Sequence, residues 1–127
     1  MSVTEKYLYT QEVIRALKLQ AHCMAQAAKI VDPALELQKI EVCGSLGEFL
    51  KGDRERFRTP VDLCSGRYSD LDVVLTFNKS DDHVREVLAQ TESRHCPCVY
   101  MPQIGVHDFV WNLPSHAPCP EKERVEI

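Results

Sequence analysis

Apolar residues recur at helical spacing near the start of the chain: Leu8, Val13, Ile14, Leu17, Leu19, Met24, Ala27, Ala28, Ile30 and Val31. That period predicts one long helix over residues 3–31, with Thr4 as its cap. Asp32-Pro33 ends it, because the residue before a proline is pushed out of the α region. Residues 34–38 read as a short connection with room for a helical turn. Ile40-Glu41-Val42-Cys43 then reads as a strand that stops at Gly44. A second helix is expected over 45–50, with Ser45 at its N-cap and Glu48 three residues on, as in a capping box.

Residues 51–68, KGDRERFRTPVDLCSGRY, are charged and interrupted by Gly52, Pro60 and Gly66, and read as a long loop. Val73, Val74, Leu75 and Phe77 place a strand over 70–77, followed by a turn at 78–80. Asp81 to Glu92 has the pattern of an amphipathic helix with Val84, Val87 and Leu88 inward. Two further strands are expected at 98–101 and 106–111, separated by the turn sequence PQIG. The end, LPSHAPCPEKERVEI, is rich in proline and then in charge, which suits a linker, a truncated end or a docking arm. The predicted fold class is therefore α/β (α+β): a small mixed sheet flanked by helices, in a single domain over 1–112 with a tail over 113–127.

A length of 127 residues suits one core and hardly a second. Apolar residues make up 44% and charged residues 27%, the balance of an ordinary globular domain. The net charge of −4 argues against a broad basic face for duplex nucleic acid. No apolar run approaches the roughly 20 residues of a membrane helix. MSVTEKYLYT lacks a basic stretch followed by an apolar one, so the expected compartment is the cytoplasm. There the six cysteines are expected as free thiols, with Cys23 and Cys43 packing as small hydrophobes.

Against this background two short stretches stand out. Gly44-Ser45 lies between a strand and a helix, where free backbone N–H groups favour an anion and glycine allows its close approach. Ser69-Asp70-Leu71-Asp72 opens the next strand with two acids on one face, since side chains alternate along a strand. Two adjacent carboxylates repel unless a cation joins them, and hard oxygen ligands select Mg²⁺ or Mn²⁺. A phosphate seat opposite such a pair suggests metal-assisted phosphoryl or nucleotidyl transfer.

CGSLGEFL and SDLDVVL resemble the paired signatures of the nucleotidyltransferase fold, the DNA polymerase β superfamily, and in size the chain is similar to the minimal nucleotidyltransferases. The resemblance spans residues 38–112 and rests on Gly44, Ser45, Ser69, Asp70 and Asp72. It departs from the pattern at Glu48, where a second glycine is usual, with Gly47 one residue early, and in the inserted segment 51–68. The resemblance implies a third carboxylate on a later strand, and Asp108, a lone acid in VHDFVW, fits. It implies that Asp70, Asp72 and Asp108 hold Mg²⁺ or Mn²⁺, and that Gly44 and Ser45 grip a nucleoside triphosphate. Asp108 would then also serve as general base on the attacking hydroxyl. The acceptor is not legible, and a homodimer or partner protein is expected to complete the cleft.

Plainer readings stand beside these. Gly44-Ser45 alone is a helix cap, and lone acids also occur on exposed edge strands. His95, Cys96, Cys98, His116 and Cys119 offer zinc-ligating atoms without a recognised spacing, a zinc-stabilised interaction domain being the corresponding alternative. Lys51, Arg54, Arg56, Arg58 and Arg67 are either a solvated loop or a flap that meets phosphate. Glu48 suits a second alternative, an antitoxin-like binding module of the same fold with weak or no catalysis.

Overall fold

A computed structural model describes residues 3–52, 69–92 and 107–127. Among the described residues three helices, α1 (Val3–Val31), α2 (Gly44–Leu50) and α3 (Asp81–Glu92), accompany four strands: β1 (Leu37–Val42), β2 (Ser69–Phe77), β3 (His107–Asn112) and β4 (Val125–Glu126). The sheet order is β3-β2-β1-β4. β1 runs antiparallel to β2 and to β4, whereas β2 and β3 are parallel. The sheet is thus mixed, and the fold is a small α/β (α+β) arrangement. The strand expected at 98–101 and nearly all of the loop expected at 51–68 lie outside the described residues.

The long helix forms as its period predicts, and of the residues that mark the period Val13, Leu17 and Ala28 are buried while Met24 and Val31 pack against the core. Val13, Ala16, Leu17, Ala21, Ala25 and Ala28 are buried, at steps of three and four, while Leu19 and Ile30 are exposed. Small side chains on that stripe let the helix lie close to its neighbours, and the core gains its volume from Leu71, Val73, Leu75 and Phe77 of β2. Each large core side chain contributes about 1.5–3 kcal/mol by leaving water. β2 is central, and Val73, Val74 and Leu75 are all buried, so both of its faces are covered there.

Asp32 both stops α1 and fastens it. Its Oδ1 accepts the amide of Ala34 at 3.1 Å, bending the chain at Pro33. Its Oδ2 takes Lys79 Nζ and His83 Nε2, each at 2.6 Å. Asn78 completes the junction: its Oδ1 accepts the Glu36 amide and its Nδ2 donates to the Ala34 carbonyl. β1 starts at Leu37, earlier than its apolar residues indicate, because the Leu37–Phe77 pairing lies beyond that run. At the start of α3 the Ser80 hydroxyl accepts the His83 amide, and Asp81 and Asp82 sit in the first turn, where negative charge suits the helix dipole.

Residues 113–127 fold back along the domain. Two single-turn 3₁₀ helices, Pro114–His116 and Glu121–Glu123, lead into β4, which pairs with β1 through Val42–Val125 and Glu41–Glu126. Asp81 Oδ2 accepts the Ser115 amide at 2.8 Å, and Lys51 Nζ donates to the Glu123 carbonyl at 3.1 Å. Proline and charge in this segment thus accompany a return path that ends as an edge strand.

Candidate functional site

β1 and β2 are antiparallel, so the end of β1 meets the beginning of β2. The Cys43 amide donates to the Asp72 carbonyl at 3.2 Å, which sets Gly44 beside the Asp-Leu-Asp segment. β3 is parallel to β2, so its beginning lies at the same end. The register pairs Ser69 with His107, Asp70 with Asp108, and Asp72 with Val110. Positions 70, 72 and 108 therefore share one face of the sheet by strand alternation. Leu71 and Val73 occupy the opposite, core-facing positions.

The end of the sheet thus brings together Gly44 and Ser45 from α2, Ser69, Asp70 and Asp72 from β2, and Asp108 from β3. The side chains of Ser45, Ser69, Asp70 and Asp108 lie outside the described set, so their placement is one of backbone and register. Asp72 is half-buried, and among the described residues no hydrogen-bond donor or cation pairs with its carboxylate. An acid in that position, next to two more at adjoining register positions, suits a hard divalent cation. Among the described residues no three His, Cys, Asp or Glu side chains assemble as a metal site.

The turn into α2 differs from its expected form. The helix opens at Gly44 rather than after a Ser45 cap, because Gly44 takes a φ of 71° and turns the chain directly out of β1. Gly47 has a different role. A Cβ there would stand 3.3 Å from the Val42 carbonyl oxygen and 3.7 Å from that of Glu123. Its small size lets α2 lie close to the end of β1 and to the returning C-terminal segment. Glu48 is exposed on the same helix.

The sequence reading missed the neighbours that the C-terminal segment brings to this end. Burial, then a hydrogen bond with Cys119, pushes the Cys43 thiol up to about 12; the negative charge of Asp72 acts in the same sense and Arg124 opposes it. Arg124 Nη2 donates to the carbonyls of Pro114 and Cys119, and its Nε is buried without a partner. Arg124 follows Cys119 in a stretch that reads as a charged tail, so nothing local marks it. Glu41 was findable. It is a lone acid among apolar residues of β1, and it is buried, with Oε1 lacking a hydrogen-bond partner and Lys39 Nζ 3.7 Å away.

Of the proposed zinc-ligating group, His95, Cys96 and Cys98 lie outside the described residues. His116 meets Arg85 Nη2 at 2.8 Å and Ser115 Oγ at 2.9 Å, while Cys119 is a half-buried free cysteine whose carbonyl accepts from Arg124. Arg54, Arg56, Arg58 and Arg67 likewise lie outside the described residues. No helix among the described residues is long and apolar enough to cross a membrane. Comparisons with family models, with curated proteins and with solved structures find no match.

Proposed function

We propose that the chain is a nucleotidyltransferase, which moves a nucleoside monophosphate from a nucleoside triphosphate to a hydroxyl acceptor with the help of Mg²⁺ or Mn²⁺. The observation that supports this reading most is the register of β2 and β3, which aligns positions 70 and 108 beside position 72, at the sheet end where Gly44 turns the chain. Asp70, Asp72 and Asp108 would hold the cation, whose chemistry when bound is to neutralise phosphate charge. The chain's own part is to place and to move a proton. The amides after Gly44 and the Ser45 hydroxyl hold phosphate oxygens, with Ser69 beside them. Asp108 accepts the proton of the attacking hydroxyl. The acceptor is a protein, a nucleic acid or a small molecule, and a second copy or a partner protein closes the cleft.

The test is thermal unfolding with Mn²⁺ and a non-hydrolysable nucleoside triphosphate. A ligand at 100 times its Kd stabilises the folded state by about 2.7 kcal/mol, so the midpoint rises by several degrees. Asp70→Asn combined with Asp72→Asn abolishes the rise. A rise that survives the double substitution overturns the reading. The exposed acid Glu48, close to the turn, favours a second reading in which the same fold serves as a binding module with little catalysis. A midpoint shift without label transfer from any radiolabelled triphosphate to a cell extract is the result that reading expects.

A further inference from the structure

We propose that the cavity between α3 and the exit of β3 binds a small aromatic carboxylate. Its volume is about 270 Å³, at the lower edge of the ~300–1,000 Å³ usual for small-molecule pockets, which suits one substituted ring. Arg85 and Leu88 line it from one face of α3, three residues apart. Trp111, Asn112 and Leu113 line it where the chain leaves β3, and His116 from the 3₁₀ turn that follows. This place is separate from the acid cluster. Asn112 pairs with Val74, four residues along β2 from Asp70, a strand distance of about 13 Å. Trp111 pairs with Val73 on the core-facing side. Binding here needs neither the metal ligands nor the phosphate seat.

The lining selects the ligand's chemistry. Leu88, Leu113 and the indole of Trp111 supply apolar surface, and a flat ring packs well on an indole. The Phe109 ring, 5.7 Å from Trp111 between centroids, supports that indole. Arg85 and His116 make the rest of the lining basic, and no acid among the described residues joins it. A chain of hydrogen bonds fixes the guanidinium. Asp81 Oδ2 accepts the Ser115 amide at 2.8 Å, Ser115 Oγ lies 2.9 Å from His116 Nδ1, and Arg85 Nη2 lies 2.8 Å from each imidazole nitrogen. Among the described residues no carboxylate lies within ion-pair distance of Arg85. Its remaining N–H groups thus suit a carboxylate taken side by side. A cationic ligand would meet two basic groups, and inorganic phosphate would leave the apolar surface uncovered. Asn112 adds a polar contact: its Nδ2 donates to the carbonyls of Val73 and Val110, which leaves Oδ1 to accept from a ring hydroxyl.

The test follows the indole N–H of Trp111 by nuclear magnetic resonance in the nitrogen-labelled full chain. The chain has a single tryptophan, so the signal needs no assignment. Para-hydroxybenzoate, titrated at neutral pH, should move that signal to a saturable limit, with half-saturation below about 1 mM. Para-hydroxybenzamide, of the same shape without the charge, should bind about tenfold more weakly or worse. Arg85→Gln, at an exposed position, should weaken binding of the acid to the same degree while the unfolding midpoint stays within about 3 °C. No saturable movement of the signal, equal binding of acid and amide, or an affinity that Arg85→Gln leaves intact overturns the proposal.

Discussion

Asp32 concentrates several duties in one carboxylate. It bends the chain after α1, and it receives Lys79 from the turn between β2 and α3 and His83 from the first turn of α3. The hydrogen bonds from Lys79 and then His83 hold its pKa at about 2, below its ordinary 3.8. The sign follows from linkage: a carboxyl with a depressed folded pKa contributes stability that is fully present above the unfolded value. That contribution fades as the pH falls from about 4 toward 2. Asp32→Asn is therefore expected to lower the unfolding midpoint at neutral pH, and the gap to the parent protein should shrink through that acid window. A gap constant from pH 7 to pH 2 would show that the charge of Asp32 has no part in it. Asp81 acts in the same way at the other end of this junction. Burial alone would raise it, but the Ser115 hydroxyl and amide reverse the direction, aided by His116 and Arg85.

At the scale of elements, α1 illustrates how a clear period leaves the buried face undecided. Leu17 is fully buried at the centre of the alanine stripe. Leu17→Ala should cost about 2–5 kcal/mol in denaturant-induced unfolding, because the surrounding helix and strand cannot collapse into the gap. Ile30→Ala, at a position 67% exposed, should change stability by less than about 0.5 kcal/mol. A comparable loss at both positions would place the buried face elsewhere. The second helix presents the opposite case, where two glycines do different work. Gly44 supplies a positive φ at the turn, and Gly47 supplies thinness against Val42 and Glu123. One glycine is legible from its place between strand and helix. The other is understood only once the C-terminal segment is seen to pack there.

The molecule as a whole brings Asp108 to the other acids. It lies on β3, at the edge of the sheet among the described residues, and the parallel pairing of β3 with β2 sets it level with Asp70. If the three acids share a cation, Asp108→Asn should weaken Mn²⁺ binding at least tenfold in a calorimetric titration, as loss of a charged ligand worth about 1.4 kcal/mol or more would. Asp82→Asn, on the exposed first turn of α3, should leave it unchanged. Equal effects of the two would reduce the role of Asp108 to general surface charge.

Alone, the sequence determined α1, β1, α2, β2, α3 and β3 and their order, though not β4, because the period of apolar residues and the breakers Pro33, Gly44 and Asn78 act within a few residues of the chain. It also marked Asp70, Asp72, Gly44 and Ser45, whose significance lies in their immediate neighbours. Tertiary structure decided which face of α1 is buried, that β3 lies parallel to β2, and that the C-terminal segment returns to pair with β1. Those outcomes depend on contacts between residues far apart in the chain, such as Glu41 with Glu126 and Val42 with Val125, for which local pattern carries no energy term.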